Sequence, residues 1–379
     1  MHGPILIALS VAVGTVGWSG NMLALPVAMF FPLLWAKSPT RMVAAGVSAG
    51  YFLAASRGLP QGVANFYASD LWPGLLLWIV ASLAFVIVHT TPWTDRPGRG
   101  KALRYGFAAV LMAVPPFGIV GWAHPITAGG IVFPGWGWAG FGVAAAGLIV
   151  MTTRWWPAAT SALLGFWLWS AATWTGPGLP EGWRGVDLDT SLEQQRDLLA
   201  TVKRATGGGA RVVVLPESSL GFWTPTIDQL WQTELANSHV TVVAGAAVVE
   251  RAGYDNVLVA ISRGGGRILY HQRMPVPVSM WQPWLGWSGQ GGRARAGFFA
   301  NPVVELGGQR IAPLICYEQL IVWPVLQLML QRPDMIVAAG NGWWTSGTSI
   351  IAIQSASTAA WARLFNLPLV AAFNSQAEE

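Results

Sequence analysis

The stretch that decides the fold of the second half of the chain is Arg310-Ile311-Ala312-Pro313-Leu314-Ile315-Cys316-Tyr317-Glu318. Its apolar residues predict a strand, and Cys316, the only cysteine in 379 residues, stands where that strand ends. Glu318 follows at once, and residues 319–330 have the periodicity of an amphipathic helix. A thiol at a strand-to-helix turn lies near a helix N-terminus, which lowers its pKa and favours the nucleophilic thiolate. A lone cysteine is also compatible with a small buried apolar residue, so the turn alone leaves both interpretations open.

On both sides of this turn, the second half of the chain alternates between predicted strands and helices. We expect strands at residues 211–215, 240–249, 256–262, 267–271, 303–306, 310–315, 335–339 and 369–373. We expect helices at residues 191–205, 226–237, 319–330 and 350–365. Such mixed elements predict layered sheets covered by helices. Residues 274–297 form a long loop rich in Pro and Trp, and loops of that length are often functional lids.

The composition of the first half differs from that of the second. The whole chain is 53% hydrophobic and only 10% charged, whereas soluble domains carry roughly 25% charged residues. Of the 17 acidic residues only Asp70 and Asp95 precede Thr175. We therefore expect two domains, a membrane domain at residues 1–174 and a water-soluble domain at residues 175–379. The net charge of +5 is not a nucleic-acid signal, because much of it lies in the first half.

Seven apolar runs in the first half predict about seven transmembrane helices. They cover residues 5–18, 22–35, 42–55, 71–88, 105–122, 138–152 and 157–174. Seven Lys and Arg residues fall in the loops of one side and only Arg57 falls on the other. This asymmetry predicts a multi-pass protein of the bacterial inner membrane, with its C-terminal domain in the periplasm. No ionisable residue lies within a run, which argues against an ion-coupled transporter.

Three motifs in the second half resemble the nitrilase (carbon–nitrogen hydrolase) superfamily. They are Leu215-Pro216-Glu217, Tyr270-His271-Gln272-Arg273 and Cys316-Tyr317-Glu318, in that order. With membrane helices in front, the chain is most similar to the apolipoprotein N-acyltransferases. This resemblance implies an α-helical polytopic membrane domain followed by an α/β nitrilase-like domain, an α-β-β-α sandwich. More narrowly, the length and the ending Phe373-Asn374-Ser375 resemble a family of conjugal transfer proteins from plasmid transfer operons.

The resemblance implies roles for particular residues. In the family a Glu is the general base, a Lys stabilises the tetrahedral oxyanion and a Cys is the nucleophile. Carried over by position, the base is Glu217, the nucleophile is Cys316, and Glu318 is an acid that supports the site. The family needs no cofactor and no metal. The residues expected to contact the substrate are Trp281, Trp284, Trp343 and Tyr317.

One position departs from the family pattern. Gln272 stands where the family has its Lys, and Met280 stands at a later Glu position. Arg273 is adjacent, but neighbouring residues of a strand point to opposite faces of the sheet. Gln272 can donate hydrogen bonds to an oxyanion, but it adds no charge. Loss of one oxyanion donor costs about 10²–10³ in rate, so transition-state stabilisation is weakened.

Two hypotheses about function therefore stand side by side. The first is a membrane-bound, Cys-dependent acyltransferase or amidase that serves plasmid conjugal transfer. Its partners would be a phospholipid or lipidated protein, admitted by the apolar loop that follows Met274, and the membrane itself. The second is a catalytically impaired nitrilase-like module that binds partners of the conjugation apparatus. Glu217, Cys316 and Glu318 favour the first hypothesis, whereas Gln272 and Met280 favour the second. Neither involves direct contact with nucleic acid.

Overall fold

The computed structural model describes residues 3–189, 195–251, 253–288, 293–300 and 303–375. It divides into two units. The first comprises Met1–Pro177, Leu320–Trp323 and Gly347–Leu367, and the second comprises Gly178–Gln319, Pro324–Ser346 and Pro368–Glu379. The predicted domain limits, 1–174 and 175–379, stay a prediction.

The first half of the chain is helical. Its α-helices are α1 (Gly3–Gly17), α2 (Phe31–Lys37), α3 (Arg41–Ala55), α4 (Leu59–Tyr67), α5 (Leu71–Thr90), α6 (Arg99–Ala113), α7 (Gly129–Val132), α8 (Gly137–Val150) and α9 (Trp156–Thr173). Short 3₁₀ helices lie at Met22–Phe30, Phe117–Ile119 and Pro125–Ala128. Several helices have a proline in their first turn, as α2 has Pro32 and α4 has Pro60, because proline's fixed φ and missing N–H suit that position.

The expected polytopic membrane domain of about seven transmembrane helices is wrong. In the described part of the chain, α5 alone is long and apolar enough to cross a membrane. The apolar run at residues 22–35 breaks into the 3₁₀ helix Met22–Phe30, with Pro26 inside it, and the short α2. Helices of 15 residues, such as α1 and α3, reach roughly 22 Å, less than the roughly 30 Å of a bilayer core. The multi-pass inner-membrane location and the periplasmic orientation were inferred from seven transmembrane helices. Without these helices, neither inference is supported.

Helix α5 is the apolar run of the first half that forms a helix long enough to cross a membrane. It has 20 residues with a mean hydropathy of 2.4, and 22% of its apolar window is buried. Leu76 and Ile87 on this helix are 57% and 58% exposed. Part of the apolar surplus of the chain therefore lies on the surface of a helix instead of in a packed core.

The second unit is built on two β-sheets. In chain order the strands are β1 (Trp183–Gly185), β2 (Leu188–Asp189), β3 (Val212–Val214), β4 (Thr241–Glu250), β5 (Gly253–Ser262), β6 (Gly265–His271), β7 (Arg293–Ala294), β8 (Val304–Leu306), β9 (Gln309–Ile315), β10 (Met335–Asn341) and β11 (Leu369–Ser375). One sheet has the order β1-β3-β4-β5-β6, with β7 beside β5, and the other has the order β2-β11-β10-β9-β8. The strands β3 and β4 are parallel, as are β9, β10 and β11, whereas β4, β5 and β6 are antiparallel.

Later helices complete the element list. They are α10 (Gln195–Gly207), α11 (Pro225–Leu235), α12 (Val322–Leu330) and α13 (Ile350–Phe365), with 3₁₀ helices at Pro283–Ser288 and Cys316–Gln319. Residues 350–365 form a helix as expected. Of the helix expected at residues 191–205, positions 191–194 lie outside the described residues. The helix expected from residue 319 instead begins at Val322, because the chain first makes the 3₁₀ turn that carries Cys316.

The two sheets pack face to face around a shared apolar core. Val214 and Val243 of the first sheet and Ile315 and Val337 of the second belong to one buried cluster, which also contains Cys316. A second cluster covers the other face of the first sheet, where α10 and α11 pack. These layers agree with the layered sheets expected from the alternating pattern, and they bring the ends of β3, β6 and β9 to one region.

Gly245 of β4 permits the close approach that positions Glu217. A Cβ at this residue would lie 2.4 Å from the Cα of Glu217 and 2.5 Å from the backbone nitrogen of Ser218. The backbone N–H of Gly245 donates to Pro216 at 3.1 Å, so the strand and the turn are held against each other.

We expect Gly245→Ala to lower the free energy of unfolding by about 2 kcal/mol, because the methyl group must displace backbone atoms. Gly207→Ala is the matched control, since a Cβ there meets nothing within 4 Å. Urea unfolding of the two variants beside the wild type makes the measurement. Equal stability of the two alanine variants would contradict the close approach.

Candidate active site

Cys316 lies at the point where β9 gives way to the 3₁₀ helix Cys316–Gln319. Its φ of +47° places it in the left-handed region, which is uncommon for a residue other than glycine. Backbone strain of this kind costs of order 1–3 kcal/mol and persists only where the surroundings enforce it. The residue is buried, with 3% of its surface exposed. The chain therefore holds the thiol in a fixed and strained position.

Glu217 is the acid beside this thiol. It follows β3 after Leu215 and Pro216, and it is 3% exposed. The side-chain amide of Asn256 donates to its Oε1 at 2.5 Å, and the Cys316 thiol hydrogen-bonds to the same carboxyl group. Burial raises the pKa of Glu217 to about 7, although both of these hydrogen bonds act in the opposite direction. A carboxyl group that titrates near neutral pH is matched to accept a proton from a thiol.

Gln272, at the family Lys position, lies in the same region. Its Nε2 donates to the carbonyl oxygen of Ile315 at 3.0 Å, and its Oε1 accepts from Asn256 at 2.9 Å. The structure thus brings Glu217, Gln272 and Cys316 together, with Asn256 between the first two. The catalytic roles of these residues stay predictions.

Glu318 accepts hydrogen bonds from both sheets. Its Oε2 accepts from the backbone N–H of Ile315 at 2.9 Å, and its Oε1 accepts from the N–H of Arg273 at 2.7 Å and from the Tyr270 hydroxyl at 2.8 Å. The N–H of Met274 also reaches Oε1, at 3.3 Å. Burial raises the pKa of Glu318, whereas the Arg273 guanidinium and these donors lower it. Such a set of donors fits the ionised carboxylate, which only accepts.

Arg273 lies in this network instead of facing Glu217. Because β6 ends at His271, residues 272 and 273 are no longer bound by the alternation of a strand. The guanidinium donates to the Tyr270 hydroxyl at 2.8 Å and to Gln327 at 2.6 Å, and it lies 3.8 Å from the Glu318 carboxylate. Its charge is therefore paired with Glu318.

Sequence reasoning missed the roles of Asn256, Tyr270 and Arg273. Tyr270 stands in a motif that resembles the family's, but neither Tyr270 nor Asn256 was expected to contact the site. A usable signal was their polar character at the buried end of apolar strands, since buried polar side chains need partners. The partners themselves lie far away along the chain, 48 residues in the bond between Tyr270 and Glu318 and 54 residues in the bond between Arg273 and Gln327.

The aromatic residues expected to contact substrate have mixed environments. The Trp281 ring packs edge-on against Phe298, with centroids 5.6 Å apart. Trp284 and Trp343 are about 40% exposed, and Tyr317 is half-buried, which raises its pKa. Of the loop that contains Trp281 and Trp284, residues 289–292 lie outside the described residues. The substrate-binding role of these four residues stays a prediction.

A metal-binding arrangement is absent from the part of the chain that the structure describes. No group of three or more His, Cys, Asp or Glu side chains there is placed to hold an ion. The side chains that meet around Cys316 are carboxylates, amides, a phenol and a guanidinium. These groups can move a proton and donate hydrogen bonds without a cofactor.

Known proteins resemble this chain in sequence. A family model described as carbon-nitrogen hydrolase matches residues 53–363. The chain is 64% identical to the conjugal transfer protein TraB of Agrobacterium fabrum, covering 98% of this chain and 92% of that protein. It is 62% identical to the probable conjugal transfer protein TraB of Sinorhizobium fredii, covering 98% of each.

Two solved structures also match at low identity. An amidase of the nitrilase superfamily from Nesterenkonia is 16% identical with a TM-score of 0.38, covering 52% of this chain and 79% of that one. A carbon-nitrogen hydrolase from Helicobacter pylori is 13% identical with a TM-score of 0.39, covering 50% of this chain and 71% of that one.

The raised pKa of Glu217 makes folding stability depend on pH. The group titrates at 4.5 in the unfolded chain and at about 7 in the folded protein, so folding favours the protonated form. That stabilisation is complete below pH 4.5 and is lost as the pH rises through about 7. Glu217→Gln cannot ionise, so we expect it to be more stable than the wild type at pH 8, by about 3 kcal/mol.

Urea unfolding at pH 4.5 and at pH 8 measures this difference. At pH 4.5 we expect the two proteins to be nearly equally stable. Glu181→Gln serves as control, because Glu181 is exposed and its replacement should have the same small effect at both pH values. If Glu217→Gln is no more stable than the wild type at pH 8, burial does not disfavour the ionised form of Glu217.

Glu318 compensates a buried guanidinium, so its removal should be costly. We expect Glu318→Gln to lose about 3–5 kcal/mol of stability, because Arg273 stays buried without a carboxylate. Glu305→Gln, at an exposed position of β8, should change stability by less than about 0.5 kcal/mol. Urea unfolding at pH 7 compares the two, and failure of the Glu318 variant to fold counts in the expected direction. Similar stability of both variants would contradict the buried pair.

Proposed function

Because this chain belongs to the carbon-nitrogen hydrolase family, we propose that it is a cysteine-dependent enzyme of acyl transfer or amide hydrolysis that serves plasmid conjugal transfer. The resemblance to this family and to conjugal transfer proteins, drawn from the sequence, is confirmed. One observation carries the proposal, namely the hydrogen bond between the Cys316 thiol and Glu217, whose pKa of about 7 suits a general base.

The proposed reaction has two stages. The Glu217 carboxylate takes the proton of the Cys316 thiol, and the sulfur attacks the carbonyl carbon of the acyl donor. The tetrahedral intermediate collapses to a thioester, and Glu217 returns the proton to the departing amine or alcohol. Water or an amine then attacks the thioester, Glu217 accepts its proton, and the thiol is restored. The oxyanion would receive a hydrogen bond from the second N–H of the Gln272 amide, which is a weaker stabiliser than a cation.

A finer proposal names the acyl donor as a phospholipid and the acceptor as an amine. It rests on the similarity to the apolipoprotein N-acyltransferases and on the apolar loop in which Trp281 and Trp284 lie. A lipid donor requires contact with a membrane, and among the described helices α5 is the one long and apolar enough to cross a membrane.

A second candidate function is a nitrilase-like module that binds partners of the conjugation apparatus without turnover. The observation that favours it is Gln272, whose side-chain oxygen and nitrogen both make hydrogen bonds within the protein. A neutral amide used in this way stabilises the fold of the site and offers an oxyanion little charge.

Labelling with acyl-chain probes that form thioesters separates the two candidates. We expect the purified protein to form a hydroxylamine-sensitive adduct with an alkyne-tagged phospholipid or an activated amide. Cys316→Ala removes the attacking sulfur and should abolish the adduct. Glu217→Gln removes the base and should reduce its rate about 10²-fold or more. A folded wild-type protein that forms no adduct with either class of donor would contradict an enzyme.

Gln272→Lys is the informative third arm of the same experiment. If the site performs the family reaction, the cation beside the oxyanion should raise adduct formation about tenfold or more. Glu217 lies close enough to keep the lysine charged despite its burial. If the site only binds, the extra charge gains nothing and lowers the melting temperature. A stable Gln272→Lys protein without an adduct would favour the binding module.

A further inference from the structure

The side chain of Asn256 connects the candidate base to position 272. It lies on β5 with 3% of its surface exposed, and its Nδ2 donates to Oε1 of Glu217 and to Oε1 of Gln272. An amide nitrogen carries two hydrogens, so both donors of this group are in use. A second contact joins the backbones, since the N–H of Gln272 donates to the Asn256 carbonyl at 2.8 Å. Asn256 therefore has one well-defined orientation.

The Ile315 carbonyl sets the direction of this chain of amides. A backbone carbonyl only accepts, so Gln272 must present its nitrogen to it, as observed at 3.0 Å. The oxygen of Gln272 is then turned to Asn256, which must present its own nitrogen. A flip of either amide would bring two acceptors or two donors together in a buried place, which is costly. The residue before the nucleophile thus orients the donor that reaches the base.

The two oxygens of Glu217 are consequently not equivalent. Oε1 is bonded to Asn256, whereas within the described residues the buried Oε2 has no hydrogen-bond partner. Holding Oε1 therefore leaves Oε2 open to accept the proton that the Cys316 thiol gives up.

We propose that Asn256 and Gln272 are positioning residues, a one-way amide relay from the Ile315 carbonyl that orients Glu217 toward the Cys316 thiol. The relay deepens the proposed function and rests on it. It gives Gln272 a second task, in addition to the hydrogen bond that its amide would donate to the oxyanion. A lysine only donates, so at this position it would require Asn256 to turn its oxygen, and it would pair with Glu217 by charge instead.

Few groups other than the relay influence the pKa of Glu217. Glu318 raises the pKa of Glu217 by repulsion, and the Cys316 thiol lowers it by a hydrogen bond. Burial raises the pKa of the Tyr254 phenol, and the nearby Glu217 carboxylate raises it further. The nearby Arg273 guanidinium is paired with Glu318. With no lysine at position 272, Asn256 is the nitrogen donor that favours the ionised base.

The pH dependence of Cys316 alkylation by iodoacetamide tests the relay without any substrate. Cys316 is the only cysteine, so the mass of the protein reports its modification directly. In the wild type we expect the rate to rise with pH around a midpoint near 7, as Glu217 becomes able to accept the proton. Asn256→Ala removes a hydrogen bond to a charged group, so we expect the midpoint to move up by about one pH unit. That shift corresponds to about a tenfold lower rate at pH 6 with a similar rate at pH 9.

Three further variants make the result specific. Gln272→Met keeps the length of the side chain but removes its hydrogen bonds, so it should shift the midpoint in the same direction as Asn256→Ala. Asn237→Ala, at an exposed position, should leave the profile unchanged. In a Glu217→Gln background, Asn256→Ala should cause no further shift. A fall in rate at every pH with an unmoved midpoint would mean a structural role only and would overturn the relay.

The outcomes separate the relay from the proposed function. If Glu217→Gln leaves the wild-type profile unchanged, the base role itself fails. If Glu217→Gln changes the profile but Asn256→Ala does not shift the midpoint, the relay alone fails.

Thermal unfolding provides a second measurement in case the buried thiol does not react. Loss of the Asn256 donor raises the pKa of folded Glu217 further, so ionisation costs more stability. We therefore expect Asn256→Ala to lower the melting temperature more at pH 8 than at pH 5, and this difference to vanish in the Glu217→Gln background. Equal lowering at both pH values would overturn the relay.

Discussion

The buried carboxylate of Glu318 is the interaction on which the candidate site depends. It accepts hydrogen bonds from Ile315, at the end of β9 in one sheet, and from Tyr270 and Arg273, at the end of β6 in the other. A carboxylate at this depth is tolerable only with such donors and a nearby cation. Because the Glu318 carboxylate needs hydrogen-bond donors from both sheets, it holds the ends of β9 and β6 together. Cys316 follows one of these ends and Gln272 follows the other, so their proximity follows from the same bond set.

The arrangement around the thiol carries less positive charge than the family pattern implies. The cation of the region, Arg273, is paired with Glu318, and position 272 holds a neutral amide. Glu217 is therefore stabilised as an anion mainly by Asn256 and the thiol, and its pKa stays near 7 because burial dominates. Such a base is partly protonated at neutral pH, in contrast to one held ionised by an adjacent lysine. The difference affects the pH at which the thiol can lose its proton.

Local sequence patterns predicted the secondary structure of the second half well and that of the first half poorly. Alternating apolar strands and glycine turns, as in the hairpin of β5 and β6, are local patterns with local causes. The apolar runs of the first half contain internal prolines and short 3₁₀ segments, as at Pro26. The mean hydropathy of such a run does not show these breaks, although each of them shortens a helix. The expectation of seven spanning helices failed because of such breaks and because unbroken helices such as α1 and α3 have only 15 residues.

The sequence by itself determined which groups are present at the strand ends. Glu217 after β3, Cys316 after β9 and a glutamine at the lysine position follow from order and motif alone, and so does family membership. Tertiary structure alone decided the partners of these groups. Whether Arg273 would face Glu217 or Glu318 depended on where β6 stops, and Asn256 became a neighbour of the base because β4 and β5 pair antiparallel beside it. Hydrogen bonds between distant residues form only after both sheets pack, so they leave no local pattern in the chain.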